Sequence, residues 1–427
     1  MTETTNMVTT TNPQPTKTLW TRDFTIITIG SVISMLGNSL VGFAMSLMVL
    51  DYTKSTMLYA IYMVCFTFPQ LVTPIVSGAI LDRFSRKRMI YTLDFISAGI
   101  YMLMAAFLFT GTFNFVLFAI MCVILGGISS TYMVAYDSFY PLLITEGNYQ
   151  KAYSISSMLE TMTVVMVPVA TFIYNLIGIA PLMVLNALTF FIAAVFETKI
   201  KHEEQYVADR KEEVTETNSS IQTMLRDIKE GMEYLKSEPG LLAIAIYFFV
   251  NMMVNGAAEV LYLPYFKGNF TNGEYIYILV IGMSFVGRMI GGGIHYKVKL
   301  PVQHKFSIAL CIYIAIGILE GSLLLVPIKL AMAMSFVAGI AGVTSYTIRI
   351  SSTQNYVPDE KKGRFNGAFL LLMTSGMLVG QFMSGLLSEY TNPRMLVFAV
   401  NMVAVIAAII LIGGHKKAVS KIYNTDN

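Results

Sequence analysis

The sequence predicts an all-α polytopic membrane protein with twelve transmembrane helices in two six-helix halves. The first observation is composition: of 427 residues, 55% are hydrophobic and 13% are charged, whereas soluble proteins carry about 25% charged residues. The second is a series of apolar runs that are each long enough to cross a bilayer. The third is one long polar stretch, which separates six of these runs from the other six.

The first half begins after a polar tail over residues 1–22, which does not have the form of a secretory signal. A helix needs about 20 apolar residues to cross the hydrocarbon core. No water satisfies the backbone there, so each run must be helical. These six runs predict an N-terminal bundle over residues 23–197, with spans at 24–50, 57–81, 89–110, 113–135, 154–177 and 181–196.

The polar stretch over residues 198–240 links the two halves. It is rich in charge at first and then in Thr, Asn and Ser. Apolar residues follow at spacings of three and four, a pattern typical of an amphipathic helix on a membrane surface: Ile221, Leu225, Ile228, Met232 and Leu235. We expect this helix on the inner membrane face, ended by Pro239. The alternative is a connector with no role of its own.

The second half repeats the pattern. Its runs predict a C-terminal bundle over residues 241–413 and a tail over 414–427, with spans at 241–266, 275–296, 306–326, 330–350, 365–387 and 395–412. The polar loop before the fifth span of each half is similar, beginning at Pro141 and at Gln354. Parallel repeats of this kind predict a substrate site between the halves, near the bilayer midplane.

Lysine and arginine set the expected orientation. If the N-terminus is cytoplasmic, 23 of the 29 basic residues lie in cytoplasmic segments. The six opposite loops hold four basic residues in total, namely Lys54, Lys267, Lys329 and Arg394. Since cytoplasmic loops carry an excess of positive charge, we expect both termini in the cytoplasm and the protein in the cell membrane.

The loop between the second and third spans reads Gly-Ala-Ile-Leu-Asp-Arg-Phe-Ser-Arg-Lys-Arg over residues 78–88. It resembles the signature loop of the major facilitator superfamily, Gly-x-Leu-Ala-Asp-Arg-x-Gly-Arg-Lys/Arg, with Ser85 at the central glycine. Stretches in both halves resemble the macrolide-efflux-type exporters, a branch with relatives that export siderophores or move lysophospholipids: residues 34–39, 68–69, 82–88, 226–235 and 354–367. The resemblance implies this fold and export, with a broad choice of substrate.

The resemblance also implies a conformational latch on the cytoplasmic side. Gly78 would let the second span pack closely on a neighbour. Asp82 would face the N-terminus of the eleventh span, where the helix dipole favours an anion, and Arg86 would reach Asp137. We call the whole set, expected to hold the halves together in the outward-open state, the latch residues: Gly78, Asp82, Arg83, Arg86, Arg88, Asp94 and Asp137. The alternative, that this loop only sets topology, explains the arginines but not Gly78 or Asp82.

Ionisable groups inside spans are the candidates for binding, because each costs about 2.5–3.5 kcal/mol at the bilayer centre. Glu259 lies in the outer half of the seventh span, and Asn251, Asn255 and Tyr262 share its helix face at 4-4-3 spacing. This face predicts substrate or proton binding, and the alternative is a polar contact between helices. The other candidates for the substrate and proton site are Glu160, Asn38, Tyr136 and Arg288.

Glu259 is the first candidate for carrying a proton and Glu160 the second. Span 4 has Cys122 where many proton-coupled relatives carry an arginine, and span 5 keeps only Pro168 of their Gly-Pro-x-x-Gly-Gly pattern. The residues that couple transport to protons in those relatives are therefore not assigned to positions in this sequence. A structural alternative exists for Glu160, which would pair with nearby arginines, and for Arg288, which belongs to a supporting span.

Several function classes are excluded. No GxxxxGK[ST] phosphate loop occurs, so ATP is not the direct energy source. The four histidines have no metal-ligand spacing and no nucleophile set is present, so we expect no enzyme, metal or cofactor. A net charge of +3 is too small for a nucleic-acid binder.

We therefore expect a monomeric secondary exporter of hydrophobic or amphiphilic small molecules, such as drugs or macrolides. It would work by alternating access within membrane lipid and be coupled to protons. A second hypothesis is a lysolipid or siderophore transporter of the same fold. A third, from a different class, is a sensor or immunity protein that keeps the fold and transports nothing.

Overall fold

A computed structural model of the protein describes residues 18–81, 84–202, 217–297 and 300–424. Six long helices make up the first half. They begin near Thr21, whose side chain accepts a hydrogen bond from the Phe24 amide and so caps the first helix. In chain order they are α1 (Arg22–Thr53), α2 (Thr56–Leu81), α3 (Arg86–Phe109), α4 (Phe115–Phe139), α5 (Tyr149–Ile177) and α6 (Ile179–Glu197).

The second half follows a helix in the link, α7 (Thr217–Ser237), which lies where the amphipathic pattern predicts it. Six long helices follow: α8 (Pro239–Asn269), α9 (Gly273–Lys297), α10 (Lys305–Gly321), α11 (Ile328–Tyr356), α12 (Asp359–Leu387) and α13 (Pro393–Ala407). A π-helical turn, Ala408–Gly413, continues α13, and a short helix, α14 (Lys416–Tyr423), closes the described chain.

The predicted fold class is confirmed. Each of the twelve predicted spans coincides, within a few residues, with one of the helices α1–α6 and α8–α13. Among the described residues, eleven helical segments are long and apolar enough to cross a membrane. The remaining span, in α5, holds a shorter apolar segment, Val165–Ile177.

Two sides of the molecule need names. An even number of membrane-crossing helices separates the two ends of the chain, so both ends lie on one side, which we call the termini face. The opposite side is the distal face. On the distal face α5 and α6 are joined by Gly178 alone, whose φ of +78° lies in the left-handed region that favours glycine.

Within the second half, glycines let helices approach closely. Gly256 on α8 packs against the backbone of Met377, and Gly380 on α12 packs against the backbone of Met253. The pair α9 and α11 repeats this arrangement, with Gly287 against Phe336 and Gly339 against Ser284. Small residues serve this purpose in membranes, where lipid provides no hydrophobic force between helices.

The link helix α7 lies on the termini face and packs against α2 and α12. Gly231 of α7 meets the carbonyl group of Arg364, near the start of α12. The Arg364 guanidinium lies 3.3 Å from Asp227 and 2.8 Å from Glu230. The beginning of α12 is therefore held by α7 through close packing and ion pairs.

Candidate functional site

The two halves are tied together near the distal face. Asp51, close to the distal end of α1, receives the ammonium group of Lys267 from α8 at 2.8 Å. The Tyr174 hydroxyl donates to the same carboxylate oxygen at 2.7 Å. This ion pair links the halves, and Tyr174 fixes its geometry.

Other contacts between the halves lie near the distal face or about halfway between the distal face and the termini face. The Asn175 amide of α5 donates to Glu274 and to Tyr275 of α9, each at 3.3 Å. The rings of Phe43 and Tyr277 stack with centroids 6.1 Å apart. The hydrogen bonds that join described residues of the two halves therefore cluster from mid-height to the distal side.

Glu259 lies at the boundary between the halves. Its carboxylate accepts a hydrogen bond of 2.9 Å from the side-chain amide of Gln381 on α12. The same amide donates to the Thr67 hydroxyl of α2 at 3.3 Å. Gln381 is buried, whereas Glu259 is exposed. The charge of Glu259 acts on the phenols of Tyr59 and Tyr277. Glu259 thus reaches solvent while surrounded by polar groups from both halves.

The polar residues predicted to share one face of the seventh span lie in different surroundings. Asn251 and Asn255 line a cavity of about 450 Å³ inside the second half, and the Asn255 amide donates to the Asn251 carbonyl at 2.8 Å. Tyr262 is buried, and its hydroxyl donates to the Glu320 carbonyl at 3.3 Å. The four residues therefore share a helix, but the structure does not bring them to one point.

The cavity of the second half also contains charge. Arg288, a candidate for the substrate and proton site, lines it together with Glu320 and Arg349, and the charge of Arg288 acts on the Glu320 carboxyl. The Arg349 guanidinium lies 5.0 Å from the ring centre of Phe369 and 5.3 Å from that of Tyr346. Both distances are within cation–π range. A cavity with two guanidinium groups is suited to an anionic or zwitterionic group.

The first half has a smaller cavity, of about 90 Å³, lined by Asn38 and Asp94 among others. The Tyr101 hydroxyl donates to the Asn38 side-chain oxygen at 3.1 Å. Tyr136 lies between the rings of Tyr132 and Tyr140, with centroid distances of 6.0 and 5.1 Å. Asn38 therefore borders open space, whereas Tyr136 belongs to an aromatic stack.

Glu197 was missed by the sequence analysis. It is the last residue of α6, and its side chain is completely buried, with neither carboxylate oxygen hydrogen-bonded. The only signal was a carboxylate just beyond the sixth predicted span, at a boundary where charges are ordinarily solvated.

The latch residues are described in part. Asp82 and Arg83 lie outside the described residues, as do the surroundings of Gly78 and the side chain of Glu160. The Arg86 guanidinium donates to the Ser138 carbonyl at 2.9 Å, at the end of α4 where the latch was predicted.

The rest of the latch set is dispersed. Arg88 and Asp137 are exposed, and Asp137 is the residue before Ser138, the acceptor for Arg86. Asp94 is buried and lies eight residues beyond Arg86 on α3, which is about 12 Å along the helix. The set therefore spans two levels of the first half, with Asp94 well inside.

Comparisons with known proteins point to one family. Residues 27–380 match the profile of the Major Facilitator Superfamily. The "Uncharacterized MFS-type transporter YkuC" of Bacillus subtilis (strain 168) is 23% identical over 299 residues, which is 69% of each chain. "Macrolide efflux protein A" of Streptococcus pyogenes is 23% identical over 282 residues, 64% of this chain and 66% of that protein.

Solved structures agree in fold. The peptide transporter POT, crystallised in complex with alafosfalin, has a TM-score of 0.68 at 11% identity, covering 96% of this chain and 98% of that chain. A bacterial homologue of the iron transporter ferroportin, in an inward-facing state, has a TM-score of 0.65 at 14% identity, covering 92% and 98%. The family profile spans most of the chain and these structures share its helical fold, so the protein belongs to the major facilitator superfamily, whose relatives found here are transporters rather than enzymes.

Proposed function

We propose that this protein is a secondary exporter of hydrophobic or amphiphilic small molecules, coupled to protons and working by alternating access. The observation that carries the proposal is Glu259, a carboxylate exposed at the boundary between the halves and bound to Gln381, which also donates to Thr67 of the other half. Placing an ionisable group inside the membrane is energetically costly, so such a group is usually present because it has a partner or a function. The macrolide efflux protein of Streptococcus pyogenes, a relative at 23% identity, supports export as the direction.

The contacts between the halves support alternating access. The ion pair of Lys267 with Asp51, and the hydrogen bonds of Asn175, lie near the distal face. If the termini face is cytoplasmic, as the positive-inside bias suggests, these contacts close the outer side, and substrate would enter from the cytoplasm or the inner leaflet. We also propose a cell-membrane location and a monomer.

Proton coupling is tested in inverted membrane vesicles that hold a pH gradient. Addition of macrolides, dyes, lysolipids or siderophores should collapse the gradient where the compound is a substrate. Glu259→Gln should abolish this collapse, with a smaller loss for Glu160→Gln. The control is Glu389→Gln, which removes an exposed carboxylate at the distal end of α12. Wild-type transport that ignores the gradient, and persists in the double variant, would exclude proton coupling.

A lysolipid or siderophore transporter is the second candidate, and the arginines of the second half favour it. Arg288 and Arg349 line one cavity, and guanidinium groups bind phosphate and carboxylate groups well. Under this hypothesis, anionic amphiphiles should collapse the gradient more effectively than neutral or cationic dyes. The reverse order would favour the drug-exporter hypothesis.

A sensor or immunity protein is the third candidate. It predicts no turnover of any compound, so the carboxylates and the latch residues would be dispensable. Accumulation of any tested compound against its gradient would exclude it.

We propose the latch role for Asp82 as a separate matter. Asp82→Asn should slow turnover with little change in substrate binding, because the latch would act on the conformational change. A collapse of substrate binding in this variant would instead put Asp82 near the pocket and contradict the latch.

A further inference from the structure

Two carboxyl groups are withdrawn from water inside the first half. Asp94 on α3 has 1% of its surface exposed and Glu197 at the end of α6 has 0%. Neither carboxylate oxygen of Glu197 has a hydrogen-bond partner, nor does Oδ2 of Asp94. An isolated charge in such surroundings is so costly that the group is neutralised or paired.

The two groups share one pocket. Asp94 and the Tyr132 phenol of α4 line one cavity together with Ser34 of α1. Glu197 packs against Gly30, whose carbonyl accepts a hydrogen bond from the Ser34 hydroxyl at 3.1 Å, and the charge of Asp94 acts on the Glu197 carboxyl. Carboxyl and phenol groups from three helices, α3, α4 and α6, therefore meet in one small region beside α1.

No described basic residue forms an ion pair with either carboxyl. The lysine and one arginine at the start of α3 have acceptors on the termini face: Arg86 donates to the Ser138 carbonyl at 2.9 Å and Lys87 to the Ile200 carbonyl at 2.6 Å. The other titratable or charged groups with described side chains on or beside these helices are Arg22, Asp23, Asp51 and Tyr52 on α1, Arg88, Tyr91 and Tyr101 on α3, Cys122, Tyr136 and Asp137 on α4, Tyr140 after it, Tyr149, Lys151, Tyr153 and Tyr174 on α5, and Lys199, Lys201 and His202 after α6.

The space around the two carboxyl groups indicates whether they bind a proton or a metal ion. A Cβ atom at Gly30 of α1 would lie only 3.0 Å from Oε1 of Glu197, so the carboxyl is packed directly against a helix backbone. A metal ion such as Ca²⁺ needs about six to eight oxygen ligands around it, whereas a proton needs no volume. Asp94 lines the cavity of about 90 Å³, which is large enough to hold water.

We propose that Asp94 and Glu197 form a proton-binding site in the first half and share at least one proton at neutral pH. Two like charges in one apolar pocket cannot both ionise. Asp94, which lines the cavity, exchanges the proton, and the completely buried Glu197 keeps it bound because a second charge in the same surroundings would be costly. The site is separate from Glu259, and its protonation can be measured without transport.

Infrared difference spectroscopy on the purified protein in lipid vesicles tests this site. The carbonyl stretch of a protonated carboxylic acid is recorded while the pH is raised from about 5 to about 9. This whole range lies above the ordinary pKa of a carboxyl group, which is about 4. The wild type should keep an acid band at pH 7 that shifts in heavy water. The double variant Asp94→Asn/Glu197→Gln should lose that band, and each single variant should reduce it.

Controls separate the pair from other carboxyl groups. Glu389→Gln, which removes an exposed carboxyl, should leave the band unchanged, and Glu259→Gln should leave the component assigned to the pair. Identical spectra of the wild type and the double variant at pH 7 would overturn the proposal. So would loss of the wild-type band when sodium replaces choline at constant pH, because the pair would then bind a cation. The wild-type titration needs no variant: absence of any acid band at pH 7 would overturn the proposal even if the double variant fails to fold.

Discussion

The two halves of this transporter treat the charges inside their helices in opposite ways. In the first half, Asp94 and Glu197 are almost completely removed from solvent and have no described cation as partner. In the second half, Arg288 is exposed and Glu320 is partly exposed, and both line one cavity of about 450 Å³. The first half has room for water, and the second for part of a small molecule. We infer that the first half stores a proton apart from the one assigned to Glu259, and that the cavity of the second half binds the polar group of the substrate.

The largest expected effect concerns packing, because Gly380 in the second half and Gly30 in the first half have different neighbours. Gly380 meets the backbone of Met253, which cannot move aside, whereas Gly30 meets the side chain of Glu197. Gly380→Ala should lower the free energy of unfolding by about 1–3 kcal/mol, as overpacking does, and Gly30→Ala by less. Thermal unfolding in detergent measures both. Gly42→Ala is the control, since no atom lies within 4 Å of the added Cβ; equal losses for Gly380 and Gly30 would contradict the comparison.

The next effect concerns the substrate cavity. Arg288→Gln should weaken binding of an anionic amphiphile on the order of tenfold, because hydrogen bonds to charged groups contribute about 1.5–3 kcal/mol. Equilibrium binding of a fluorescent lysolipid measures this change. Lys329→Gln removes an exposed positive charge outside the cavity and should leave binding unchanged. Equal weakening by both variants would mean that net charge, and not the cavity, attracts the ligand.

The smallest effect concerns the distal contacts between the halves. Lys267→Gln removes the 2.8 Å ion pair with Asp51 and should favour opening of the distal face by about 1 kcal/mol or less, the usual value for a partly exposed pair. Spin-label distances across that face measure the shift. Lys54 lies 3.5 Å from the same carboxylate but within one half, so Lys54→Gln should not change the distances. A shift of equal size in both variants would contradict this role for the pair.

The fold could be predicted because the bilayer restricts the options. A chain with apolar runs of this length must form helices, so hydropathy located all twelve. The helix in the link was predictable for a related reason: its apolar residues recur at spacings of three and four, and α7 covers Thr217–Ser237.

The site was harder to predict because depth along a helix does not fix what a side chain faces. Glu259 and Asn255 are one turn apart, yet one lies at the boundary between the halves and the other in the cavity of the second half. Glu197 was placed outside the sixth span, although its side chain turns back into the bundle towards Gly30. Asp94, near the inner end of the third span, was assigned to the latch residues. Only the packing of α1, α3 and α6 reveals Asp94 and Glu197 as a pair.

The most direct test of proton-coupled export compares two transport modes of Glu259→Gln in reconstituted vesicles. One is accumulation of substrate driven by a pH gradient, and the other is exchange of labelled for unlabelled substrate without a gradient. If Glu259 couples proton movement to the change between states, the variant should lose gradient-driven accumulation on the order of tenfold or more while exchange continues. Full gradient-driven accumulation by the variant would contradict the proposed coupling role of Glu259.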